Sequence, residues 1–172
     1  MKNTMACLGI IALVAVIGFS FALTFTSCDN GTTGGGDRAL NGTWVSRNGE
    51  RLVLNNGSAT FSQSNSEFAK GTYSAGGSNI TITINQYRGS YLSTKGLYMI
   101  GLSSSQWYTQ QQLRTVIINY FVGQGASRAD AETYYNREIA SSMNEIYGTF
   151  TGTYGGNTLT MRIDGNYVTY TR

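Results

Sequence analysis

The chain has 172 residues, with 22 glycines, 12 tyrosines, no proline and no histidine; twelve basic and nine acidic side chains give a formal charge of +3. Without histidine the usual general base, the Ser-His and Cys-His nucleophile pairs and the commonest metal ligand are all missing. The basic residues form no run and no basic helix face, which argues against nucleic acid as a partner, because counterion-release binding needs a concentrated positive footprint.

The amino terminus reads Met1-Lys2-Asn3, then an apolar run from about Ala6 to Phe25, then Thr26-Ser27-Cys28. One positive charge, a hydrophobic stretch and small residues before a cysteine is the layout of a secretory signal. The run approaches membrane-spanning length, so an uncleaved anchor is the alternative. Gly18 and Ser20 within it, the cysteine at its end and the polar stretch beyond favour cleavage. The segment resembles the lipoprotein signal family, whose lipobox is usually Leu-Ala-Gly-Cys; here it is Phe25-Thr26-Ser27-Cys28, with Thr26 departing most. The resemblance implies removal of residues 1–27, thioether lipidation of Cys28 and acylation, for example by palmitate, of the new amino terminus. It also implies a membrane-anchored place in the cell envelope, the outer membrane or cell surface ahead of a periplasmic face. Loss of Lys2 with the leader leaves eleven basic and nine acidic residues, a formal +2. Cys7 leaves too and Cys28 is blocked, so the mature chain has no thiol and no disulfide and must hold together through its core.

Residues 28–38 are expected to be the lipidated cysteine and a flexible tether, Asp29 to Asp37 reading DNGTTGGGD. Gly34-Gly35-Gly36 is not followed by Gly-Lys-Ser/Thr and follows no strand, so it is not a phosphate loop. Residues 39–172 are enough for one domain.

That domain is predicted to be mainly β. A hairpin unit occurs three times: Gly42-Thr43-Trp44 through Arg47-Asn48-Gly49 into Leu52-Val53-Leu54; Gly71-Thr72-Tyr73 through Gly76-Gly77-Ser78-Asn79 into Ile80–Ile84; and Gly152-Thr153-Tyr154 through Gly155-Gly156-Asn157 into Leu159–Ile163. Glycine and asparagine supply the positive φ that such turns need. Ile80, Ile82 and Ile84 share one face and Thr81 and Thr83 the other; Leu159, Met161 and Ile163 oppose Thr160 and Arg162. Period-two alternation indicates an antiparallel sheet with one buried and one wet side. Asn55-Asn56-Gly57 and Asp164-Gly165 predict two more hairpins. A strand from about Lys95 to Leu102 brings the count to eight or nine, and closing into a barrel hides the edges of so many short strands.

Between about residues 104 and 147 the period changes. Leu113, Val116, Ile117, Tyr120 and Phe121 form one helical stripe ended by Gly123 and Gly125. Ser127, with Asp130 three residues on, caps a second helix whose stripe is Ala131, Tyr135, Ile139, Ser142/Met143 and Ile146, stopped by Gly148. The pair either packs on the barrel or acts as a lid or partner-docking element. Tyr87, Tyr91, Tyr98, Trp107 and Tyr108 cluster in sequence at its entrance and suit a binding surface or ordinary packing equally.

Gly42-Thr43-Trp44 opening a barrel of about eight strands resembles the lipocalin or calycin family, which begins with Gly-x-Trp. The likeness is nearer still to small lipocalin-like bacterial lipoproteins with repeated Gly-Thr-aromatic hairpins. It runs from about Leu40 to Arg172 and implies a late arginine, Arg162 or Arg172, packed over the tryptophan. It also implies an apolar interior for a small hydrophobic ligand. The chain departs from the family in placing two helices before the last three strands, where lipocalins place one after the eighth.

Catalytic constellations are absent from the pattern. Glu138 and Glu145, seven apart on a helix, read as solvated charges rather than a glycosidase pair. Ser93 and Lys95 are too weak a match for a Ser-Lys hydrolase. The expectation is a non-enzymatic envelope protein with no cofactor and no metal. Its membrane contact is the lipid on Cys28, and Trp44, Phe61, Tyr73, Ile82 and Tyr98 would contact an apolar ligand. The alternative is an adhesin or protein-interaction module, meeting a host or envelope protein through Tyr87, Tyr91, Trp107 and Tyr108. The lipidation reading predicts that labelled palmitate enters the chain in a producing bacterium and that Cys28→Ala abolishes it; label retained in that variant refutes the assignment.

Overall fold

The computed structural model describes residues 39–163 and 165–172. The expected leader at 1–27 and the expected lipidation at Cys28 with its tether, residues 28–38, lie outside the described residues. Among the described residues two compact units are present: a barrel made by residues 39–85, 148–163 and 165–172, and an insert spanning residues 86–147.

The barrel strands are β1 (Gly42–Ser46), β2 (Glu50–Asn55), β3 (Ser58–Gln63), β4 (Ser66–Gly76), β5 (Asn79–Arg88), β7 (Thr149–Gly155), β8 (Thr158–Ile163) and β9 (Asn166–Thr171). Each pairs antiparallel with its neighbour, β4 meets β5 and β1 meets β9, so eight strands close with no free edge. The three Gly-Thr-aromatic units begin β1, end in β4 and end in β7, and each leads through its turn into the next strand, as the repeat predicts. At Asn55-Asn56-Gly57, Asn56 has φ of 46° and Gly57 of 84°, the double positive φ of a hairpin turn matched to strand twist. The β3–β4 turn does the same with Ser64 and Asn65, a pair the sequence pattern did not reveal.

Closure needs a close approach between β4 and β5. A Cβ on Gly71 would stand 2.1 Å from the Thr83 carbonyl oxygen, so only glycine lets the two backbones meet there. On the other side, β1 and β9 share just two opposed pairs, Val45 with Thr171 and Ser46 with Tyr170. Side chains reinforce this short seam. The Arg172 guanidinium lies 4.3 Å from the Trp44 ring centroid. Its Nη2 donates to the carbonyls of Ala39 and Asn41, both at 2.7 Å. Trp44 Nε1 in turn donates to the Leu40 carbonyl at 2.9 Å.

Within the insert, α1 (Gly89–Thr94), a 3₁₀ turn (Leu97–Ile100), a two-residue strand β6 (Trp107–Tyr108), α2 (Gln110–Gly123), α3 (Arg128–Tyr134) and α4 (Ala140–Ile146) follow in order. The strand expected at Lys95–Leu102 is therefore not formed. Gly96 and Gly101 adopt φ of 89° and 69° on either side, turning the chain out of any extended path, and the buried residues Leu97 and Ile100 recur at spacing three. The helices lie where the stripes predict. Thr109 and Gln112 form a reciprocal capping box on α2, and Ser127 accepts from the Asp130 N–H on α3. Ala131, Tyr135, Ile139, Met143 and Tyr147 are all buried at a strict spacing of four. A regular helix of about 3.6 residues per turn would carry that row around its surface. The π turn at Tyr135–Ile139, joining α3 to α4, takes up the difference.

Because Arg172 contributes both stacking and two donated hydrogen bonds to a seam with little backbone pairing, Arg172→Ala is expected to lower unfolding stability by about 2 kcal/mol. Arg172→Lys should recover little of it, since an ammonium lacks the planar fork. Urea unfolding of the three proteins tests this; a lysine variant as stable as the parent counts against it.

Candidate functional site

Opposed residues in an antiparallel sheet face the same side, so the register defines the barrel interior. Trp44 stands opposite Leu52, Leu52 opposite Phe61 and Phe61 opposite Ala69. On the other half, Ile82 stands opposite Phe150, and a row runs from Ile80 through Gly152 and Met161 to Val168. Trp44, Leu52, Ile82, Leu159, Met161 and Tyr170 are each no more than 1 % exposed, so no water-sized space adjoins them and their side chains fill the middle of the barrel.

Of the five residues expected to contact a ligand, the fold brings Trp44, Phe61, Tyr73 and Ile82 together inside one barrel. Tyr98 does not join them. It sits on the 3₁₀ turn of the insert and is 70 % exposed, because the strand that would have carried it inward does not form. Phe61 and Tyr73 are slightly exposed, at 6 % each. A register shift between Phe61 and Ser62 brings the Phe68 ring to 6.2 Å from that of Phe61. Tyr73 is held by its hydroxyl, which donates to Asn41 Oδ1 at 2.7 Å; the same oxygen accepts the Asn56 N–H at 3.0 Å.

The expected interaction surface is altered more. Tyr87 is 7 % exposed, stacked on Tyr91 at 5.4 Å and edge-on to Tyr147 at 5.2 Å, and its hydroxyl donates to the Ile146 carbonyl at 3.1 Å. Tyr108 is 5 % exposed; its carbonyl accepts from Tyr147 and its hydroxyl oxygen accepts the Ser103 N–H at 3.0 Å. These two are core members of the insert and offer no surface. The alternation of β5 breaks after Ile84, where Asn85 and Gln86 precede buried Tyr87, and that slip turns Tyr87 inward. Trp107 is half-buried with the Arg88 guanidinium 5.8 Å from its ring centroid, and Tyr91 also receives the Lys95 ammonium at 5.2 Å.

One polar pair interrupts the apolar barrel lining. The Tyr170 hydroxyl donates to the Glu50 carboxylate, and the Glu50 N–H is accepted by Ser46 Oγ at 3.1 Å. Burial disfavours the charge on Glu50 and raises its pKa above the ordinary glutamate value, with the hydrogen bond from Tyr170 acting the other way. Burial, and the Glu50 charge beside it, hold the Tyr170 phenol protonated far into alkali.

The molecule is thus a closed antiparallel eight-stranded β-barrel with a helical insert before its last three strands, an architecture compatible with a lipocalin-like fold. The arginine over the opening tryptophan is Arg172; Arg162 projects from the outer wall. No family model, no curated protein and no solved structure matches the chain.

Since the fold raises the Glu50 pKa, the folded state binds that proton more tightly than the unfolded chain. The stabilising contribution is complete below the ordinary glutamate range and is lost as pH rises through the folded value. Glu50→Gln keeps an acceptor for Tyr170, so it should melt higher than the parent at neutral pH and equal to it in acid. Thermal melts across that range check the sign; a gap that widens in acid overturns it.

Proposed function

We propose that the chain is a lipid-tethered envelope protein without catalytic activity whose barrel takes up a small apolar ligand. The observation that carries this reading is the closed barrel whose inward face is predominantly apolar, with the Glu50–Tyr170 pair among its polar members. Entry requires side chains to move, because the middle is filled. Met161 is the adaptable element: a Cβ on Gly152 would come 2.7 Å from its sulfur, so the thioether occupies room left by a missing side chain. Ala59, Ala69 and Gly71 keep the facing wall thin beside Phe61 and Tyr73, whose rings are the least enclosed of the four expected contacts inside the barrel. The leader pattern before Cys28 supports the envelope location, and the absence of histidine supports a binding role over hydrolysis.

A surface-interaction role is the second reading, favoured by Tyr98 and Met99, exposed at 70 % and 49 % on one turn of the insert.

The full chain purified from membranes in detergent is expected to yield, on organic extraction, an apolar molecule of defined mass in stoichiometric amount. Phe61→Trp, which narrows the space beside Tyr73, should reduce that yield severalfold with the fold retained. A clean extract, together with no uptake of a fluorescent fatty acid, refutes the barrel reading and shifts weight to the Tyr98–Met99 turn.

A further inference from the structure

The outer wall of the barrel carries a feature that an interior ligand does not use. Across β5, β7, β8 and β9 lies an open groove of about 360 Å³, edged by Asn79, Thr81, Thr151, Thr153, Arg162 and Tyr167. The register produces it. One row of opposed residues is Asn79, Thr153 and Thr160; the next is Thr81, Thr151, Arg162 and Tyr167. Short threonines form the floor, while the longer arginine, tyrosine and asparagine stand up around them. With strands about 4.8 Å apart, four strands make a wall about 14 Å wide, the footprint of a short oligomer rather than a single small molecule.

The hydrogen-bonding state of this wall is uneven. Thr83 and Thr149 join hydroxyls at 3.1 Å, and Thr160 and Thr169 at 3.4 Å. By contrast, among the described residues the side chains of Asn79, Thr81, Thr151, Thr153 and Arg162 have no hydrogen bond or ion pair to protein. The groove therefore concentrates an amide, three hydroxyls and a guanidinium on the solvent side of the wall, all fixed on backbone that is paired on both sides. Tyr167, 52 % exposed, stands directly opposite Arg162, so an aromatic and a cationic side chain rise from cross-strand neighbours whose Cβ atoms are about 5 Å apart. Among the described residues, no acidic side chain lines the groove.

We propose that this groove binds an acidic glycan, a short oligosaccharide whose pyranose face rests on Tyr167 and whose carboxylate pairs with Arg162. Hydroxyl and amide side chains both donate and accept, as sugar hydroxyls do. The guanidinium fork matches a carboxylate in geometry and charge. A single cation with an exposed ring is too little for nucleic acid, and the alternating polar lining is too wet for a lipid chain.

The test is amide-resolved NMR on the full chain in a sugar-free detergent, titrated with oligogalacturonate and, separately, with a muramic-acid disaccharide. Shifts at Thr81, Thr151 and Thr153 with either acidic probe, absent with a neutral galactose oligomer, support the proposal. The uronate arm alone identifies a free acidic polysaccharide, and the muramate arm alone a cell-wall glycan. Arg162→Ala and Tyr167→Ala should each weaken Kd about tenfold, the size of one charge-assisted contact. Both lie on the outer wall, and melting temperatures equal to the parent's establish that the fold is kept. No shift with either acidic probe, or shifts with unchanged Kd in both variants, overturns it.

Discussion

Everything in the barrel depends on a seam that the backbone alone scarcely holds. Strands β1 and β9 face each other over two residue pairs, where most neighbouring barrel strands share five or six. Side chains from the last three residues make up the difference: Arg172 over Trp44 and onto the carbonyls of Ala39 and Asn41, and Tyr170 onto Glu50. Without that seam β1 and β9 would be exposed edges, and the Trp44, Leu52 and Tyr170 side chains would lose their common enclosure.

The same eight strands present two chemistries. Inward, residues such as Ile82, Leu159 and Met161 are fully enclosed by protein. Outward, on β5, β7, β8 and β9, threonine recurs at alternate positions. Alternation makes this separation unavoidable: a residue that serves one face is removed from the other. The interior and the wall around Arg162 are therefore chemically separate surfaces of the same strands.

Local structure was legible in the sequence wherever a short-range rule governs it. The Gly-Thr-aromatic units, the Asn-Gly turn, the paired isoleucines and threonines of β5 and the Ser127 cap all follow from neighbours in sequence. The turn at Ser64 and Asn65 was hidden because serine does not favour positive φ and Asn65 has no glycine beside it. No strand forms at Lys95–Leu102 because Gly96 and Gly101, both at positive φ, turn the chain within it. Long-range pairs were beyond reach: nothing local marks Glu50 as the partner of Tyr170, 120 residues away. Two signals were present and unused. Arg162 alternates with Leu159, Met161 and Ile163 and so must face outward, which leaves Arg172 as the arginine for Trp44. The strict spacing of four from Ala131 to Met143 exceeds a regular helical period and marks the π turn.

The insert leaves the barrel strand β5 and returns as β7, and these two strands are direct neighbours. That arrangement has a kinetic meaning. The β1–β2, β2–β3, β3–β4 and β7–β8 contacts close across short turns and are expected early, since small loops lose little entropy on closing. Pairing β5 with β7 must wait on the chain between them, and each helix that forms there shortens the loop to be closed. Joining β1 to β9 spans nearly the whole domain and carries the largest loop-closure cost of any pairing in the barrel. The order of assembly thus runs from turns to hairpins to insert, and the step that completes the barrel is the one in which the final residue of the chain reaches its first tryptophan.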